Sequence, residues 1–182
     1  NYLEMEGLVY RVTFEESTNN SSMPRLNYDR MIQNISETND YNTLIYDPED
    51  YWNEINMGHG IYRYTNLDNP NVYFNENIRR LIQNYRSSFL QLGLKNLYSS
   101  DEDGKVKTLE ILDKMENYFP QDVIPTTDAE LDIQIGRIYM QAGQPQELKN
   151  RLKNVQKRKD ISLETQMYIG QIYVNEFQDY DA

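Results

Sequence analysis

Ile135-Gly136-Arg137-Ile138-Tyr139 returns as Ile169-Gly170-Gln171-Ile172-Tyr173, 34 residues further along a chain of 182. Self-similarity at one fixed period of roughly 20 to 50 residues marks stacked supersecondary units, because one unit alone cannot bury its apolar face. The stretch around and between the two copies is punctuated to match. Thr127-x-x-Glu130 reads as a capping box, in which hydroxyl and carboxylate satisfy backbone N–H groups left free by the first helical turn. Leu131, Ile135, Ile138 and Tyr139 follow at helical spacing. Gly143 closes that helix, and Pro145 sits at a first-turn position, where no N–H is needed. Leu148, Leu152 and Val155 face inward from the next helix. Ser162 caps a third, which carries Met167, Ile169, Ile172, Tyr173 and Phe177.

A 34-residue helical period resembles the tetratricopeptide repeat. The resemblance puts Gly136 and Gly170 at the small position of the first helix of a unit, where a neighbouring helix must come close. Tyr139 and Tyr173 follow three residues later on the same face, and Ala182 falls on the second small position, in a last repeat that is truncated. Upstream, Ile78, Leu81, Ile82, Tyr85, Phe89 and Leu92 line one face of a long helix. After the Ser-Asp-Glu-Asp-Gly turn a second helix, burying Val106, Leu109, Leu112 and Met115, runs to about Tyr118, and Pro120 stops it. Residues 89–120 thus form a degenerate hairpin, and about two and a half units fit. The expected fold is mainly α: a tetratricopeptide-like α-hairpin array over 73–182, with an irregular helical bundle as the plainer alternative.

Before residue 73 the composition changes to Asn, Asp, Tyr and turn formers, which predicts an irregular segment over 1–72. Gly7–Phe14 suits a short strand, so at most a small β element is expected. Asn27 can cap one helix, at about 27–37, with Met31, Ile32 and Ile35 on one side. Sixteen Tyr, 5 Phe and 1 Trp argue against disorder despite a hydrophobic share of only 38%. A formal charge of −11 repels phosphate backbones, so nucleic acid is not expected as a partner. The absence of Cys removes disulfides, thiolate catalysis and Cys-ligated zinc. No stretch reaches the apolar length of a membrane span. A start at Asn rather than Met suggests a piece of a longer or processed protein.

Leu3-Glu4-x-x-Gly7-Leu8-Val9-Tyr10-Arg11-Val12, then Asn71-Val72-Tyr73-Phe74-Asn75-Glu76, Arg86 with Phe89-x-x-Leu92, and Leu109 to Pro120 follow one another along nearly the whole chain. In that order they resemble the soluble C-terminal region of multi-spanning bacterial envelope proteins related to protein O-mannosyltransferases. Thr13 stands where that family has Pro, and Phe74-Asn75 where it has Leu-Asp. The family's proposed sugar-transfer site belongs to its membrane half. The resemblance therefore implies a non-catalytic domain at the periplasmic face of the inner membrane, with no catalytic residue, cofactor or metal of its own. Its partner would be a protein or peptide acceptor, and the rest of the parent chain would hold it beside the membrane surface. A free-standing peptide adapter is the alternative, and a sugar-processing enzyme the remotest reading.

Few residues suggest chemistry. Ser99 to Glu110 matches EF-hand loop positions 3, 5, 6, 8 and 12, but Ser99 stands where the first carboxylate belongs, so an acidic turn before a helix explains it better. His59, the single histidine, sits between glycines with no nucleophile or acid placed beside it. Asp47, Glu49, Asp50 and Glu54 surround Tyr51 and Trp52, a sugar-subsite composition that a turn followed by an aromatic anchor in the core explains better. Lys149, Arg151, Lys153, Lys157, Arg158 and Lys159 concentrate positive charge and form a candidate face for a membrane or an acidic partner. Tyr85, Tyr139, Tyr168 and Tyr173 are candidates to line a groove for an extended peptide.

Overall fold

A computed structural model of the chain describes residues 3–5, 10–12, 25–32, 35, 64, 66–99 and 102–178. These are mainly helical, with six helices and three short strands among them. Two compact units divide the chain, Asn1–Pro125 and Thr126–Ala182. The change of composition near residue 73 is therefore internal to the first unit.

In the first unit, β1 (Leu3–Met5) pairs antiparallel with β2 (Tyr10–Val12) and parallel with β3 (Arg25–Leu26). The register Leu3↔Val12 and Met5↔Tyr10 places one described strand inside the stretch expected to be extended, while Leu3–Met5 carried no strand signal of its own. Asn27 leaves this sheet by donating its backbone N–H to Met5 O and accepts the Arg30 N–H on its side chain, capping α1 (Tyr28–Met31). Met31 and Ile35 are fully buried.

Helix α2 (Glu76–Leu97) begins at Asn75, whose side chain accepts from Ile78 N at 3.0 Å. Its buried stripe starts at Ile82 and runs through Arg86, Phe89 and Gly93, whereas Ile78 and Leu81 remain exposed. Helix α3 (Gly104–Tyr118) buries Gly104, Thr108, Ile111, Leu112 and Met115. Val106 is 57% exposed and Leu109 only half-buried, so the expected stripe is rotated. Contact with α2 goes through small residues: Thr108 donates its hydroxyl to Gly93 O at 3.0 Å and Gly104 O at 2.8 Å, and a Cβ on Gly104 would collide with the Asn96 carbonyl oxygen. Arg86, fully buried, donates Nη2 to the carbonyls of Phe119 (2.9 Å) and Ile124 (2.5 Å), fastening the end of α3 and the next turn to α2. Tyr64 meets Tyr85, Tyr118 and Phe119 ring to ring and donates its hydroxyl to Ile35 O at 2.9 Å.

In the second unit α4 (Ala129–Gln141), α5 (Pro145–Gln156) and α6 (Leu163–Phe177) share one core. Ile133, Leu148, Leu152, Val155, Ile169, Ile172 and Tyr173 form it, with Ala129, Met140, Ile161 and Phe177 at its edge. The N-cap of α4 is Asp128 rather than Thr127, because its carboxylate accepts from both Glu130 N and Leu131 N. Ser162 caps α6, so the caps, like the pentads, are 34 residues apart. Gly143, at φ 106°, ends α4: its N–H reaches Met140 O, and Gln144 N reaches Tyr139 O. This paired closure satisfies two orphan carbonyls and needs the left-handed backbone that glycine tolerates. The turn lets α5 cross Gly136, where a Cβ would stand 2.9 Å from Leu148 Cδ1 and 3.1 Å from Leu148 Cα.

Gly104→Ala would ordinarily improve a helix, yet here the new methyl meets backbone. We expect a loss of about 1–3 kcal/mol in urea unfolding; unchanged or raised stability would mean that the α2–α3 approach is looser than described.

Candidate functional site

In the second unit an open groove of about 760 Å³ lies between α4 and the start of α6. Ile133, Leu163 and Met167 give it an apolar wall. Glu130 and Gln134 from α4 face the N-cap Ser162 and Glu164, Thr165, Tyr168 and Gln171 of α6 across it. Periodicity explains the division: Glu130, Gln134 and Arg137 recur at intervals of four and three, so one polar stripe of α4 runs beside the polar stripe Glu164, Tyr168 and Gln171. Beside the groove Arg137 donates Nη1 to the Tyr168 hydroxyl at 2.6 Å, and its Nη2 lies 3.5 Å from Glu176, joining the two helices through half-exposed side chains. The groove is thus lined by hydrogen-bonding groups beside an apolar wall.

Of the four candidate groove tyrosines, Tyr168 lines it. Tyr139 and Tyr173 are buried and pack instead: the Arg151 guanidinium lies over the Tyr139 ring at 5.6 Å, and Tyr173 lies 6.0 Å from Phe177. Tyr85 belongs to the aromatic cluster of the first unit, edge-on to Tyr64 at 5.4 Å. Gly136 is in close contact as a packing position, whereas Gly170 has nothing within 4 Å of where its Cβ would be. Ala182, His59 and the acidic loop from Asp47 to Glu54 lie outside the described residues.

The basic run does not form one face. Arg151 and Arg158 turn inward and grip the two oxygens of Asp132, each at 2.7 Å. Arg158 also donates to Thr127 O at 3.3 Å. The Asp132 and Arg151 side chains are only 6% and 8% exposed, so both are lost to any membrane or partner surface. Lys149 is half-buried with its ammonium 4.6 Å from the Phe177 ring centre. Lys153, Lys157 and Lys159 stay exposed.

Asp132 and Arg86 play roles that the repeat pattern alone does not reveal. Their signal is a charge on a buried stripe: Asp132 precedes Gly136 and Tyr139 by four and seven residues, and Arg86 follows Ile82 by four and precedes Phe89 by three. In the Ser99–Glu110 stretch Asp103 is paired with Lys107 at 3.0 Å. Among the described residues no three His, Asp or Glu side chains gather as a metal-holding group, and no helix is long and apolar enough to cross a membrane. Comparison with protein-family models, curated proteins and solved structures returns no match.

Removing one member of a buried ion pair leaves the other charge uncompensated. Asp132→Ala should lower stability by about 3–5 kcal/mol in urea unfolding, and Arg158→Ala by less, since Arg158 is more exposed. Equal, small losses for both would show that the network is solvated.

Proposed function

We propose that the chain is a non-catalytic interaction domain that holds an extended peptide in the groove between α4 and α6. The observation that carries this reading is the groove itself, with its aliphatic wall and two facing rows of hydrogen-bonding side chains. Peptide backbone needs donors and acceptors along its length, while alternate side chains need apolar pockets, and both are present here. The recurrence of pentad and cap at 34 residues supports reading α4 with α5 as one tetratricopeptide-like unit and α6 as the first helix of the next.

The motif order along the chain supports a further assignment, to a membrane glycosyltransferase-like envelope protein. There the domain would stand at the periplasmic face of the inner membrane and position an acceptor or partner polypeptide. Sequencing the reading frame upstream of Asn1 tests that placement. Ten or so apolar spans would support it; a signal peptide or a plain Met start would replace it with a free-standing peptide adapter.

For the groove, the test is selection of extended peptides from a displayed library on the full 182-residue chain. Gln134→Trp, which fills the groove from an exposed position, should weaken the selected peptides at least tenfold, about 1.4 kcal/mol. Failure to select any peptide, or binding indifferent to Gln134→Trp, would overturn the reading.

A further inference from the structure

The groove between α4 and α6 carries charge of one sign. Glu130 and Glu164 line it, and the described residues around it include no Lys, Arg or His. Arg137, the basic member of the α4 polar stripe, is already committed: it bonds the Tyr168 hydroxyl at 2.6 Å and lies 3.5 Å from Glu176. The Glu130 and Glu164 carboxylates, by contrast, make no hydrogen bond or ion pair among the described residues.

Acidic residues in a first helical turn commonly answer its free N–H groups and the positive end of the helix. Here Asp128 and Ser162 already satisfy those groups. The Asp128 carboxylate accepts from Glu130 N and Leu131 N, and the Ser162 hydroxyl accepts from Thr165 N. A helix terminus amounts to about half a positive charge, so two full carboxylates are not cancelled by two termini. Tyr168 follows Glu164 by one turn on the same side of α6 and is 38% exposed. Its ring has no other ring or cation stacked on it among the described residues. An open aromatic face one turn from a carboxylate suits an ammonium or guanidinium group.

We infer that the ligand of the groove is an extended peptide in which basic and aliphatic residues alternate. Its Lys or Arg side chains pair with Glu130 and Glu164 and lie on the Tyr168 ring, while the aliphatic ones rest on Ile133, Leu163 and Met167. This rests on the peptide reading of the groove and adds the chemical class of the ligand. An acidic peptide would bring like charges to Glu130 and Glu164 with no basic group to receive them. The charge of the whole chain, −11, adds long-range attraction for a cationic ligand.

The test selects random displayed peptides on the full 182-residue chain. Lys and Arg should be enriched at least threefold over the starting library, and Asp and Glu depleted. For the strongest peptide, Glu130→Gln and Glu164→Gln should each weaken binding about threefold and the double variant about tenfold, since exposed pairs are individually modest. Raising NaCl from about 0.05 to about 0.5 M should weaken it about fivefold or more. Glu130→Lys with Glu164→Lys should prefer the same peptide with its Lys and Arg changed to Glu, an inversion that loss of fold does not produce. Selected peptides that Gln134→Trp displaces, but that carry no excess of Lys and Arg or are indifferent to the double Gln variant, would overturn this inference and leave the peptide groove standing. Failure to select any peptide would overturn both.

Discussion

The second unit depends on a missing Cβ. Because Gly136 presents only backbone to α5, the Leu148 main chain comes within about 3 Å of where a side chain would begin. From that contact the remaining packing follows by helical geometry. Leu152 and Val155, one and two turns beyond Leu148, reach the core shared with Ile133, Ile169 and Ile172. Arg151, three residues beyond Leu148, reaches Asp132, which lies one turn before Gly136. A wider separation would break the ion pair and thin the core together. The helix-propensity cost of glycine, roughly 1 kcal/mol, is offset by close packing over the whole contact.

Each unit buries one arginine-centred contact and uses it differently. In the first, Arg86 addresses main-chain carbonyls at Phe119 and Ile124, where α3 has ended and the backbone has lost its helical partners. It does the work of a C-cap from another helix. In the second, Asp132 accepts from two arginines that lie on either side of the end of α5, so a side-chain network fixes the register of α5 on α4. Neither contact needs to add much net stability against an apolar alternative. Each does penalise misplacement, since a shifted helix would leave a buried charge or carbonyl without its partner.

Local chemistry was legible in the sequence, and long-range pairing was not. Asn27 and Ser162 cap where they stand before apolar periods, and Gly143 and Pro145 stop and start helices as their backbone preferences require. The cap of α4 was misplaced by one residue because Thr127 and Asp128 are both competent, and a carboxylate reaching two N–H groups outcompetes a hydroxyl. The α3 stripe was misjudged because periodicity favours Val106 and Leu109, whereas the contact with α2 goes through Gly104 and Thr108, small residues with little hydropathic signal. The basic run looked continuous because sequence order cannot tell an exposed lysine from an arginine turned toward a carboxylate 19 or 26 residues away. Of the groove, one tyrosine was foreseen. Its polar rows need the pairing of α4 with α6, which no local pattern contains.

Helix α6 therefore faces three environments, and its composition follows from them. Toward the core it is aliphatic and aromatic, with Ile169, Ile172 and Tyr173 filling space beside α5. Toward the groove it mixes Leu163 and Met167 with the polar Glu164, Thr165, Tyr168 and Gln171, and Arg137 bonds Tyr168 there. Around Gly170, where an added Cβ would meet no atom within 4 Å, Leu163, Met167 and Val174 are exposed. Scattered exposed apolar residues need no explanation in a folded chain.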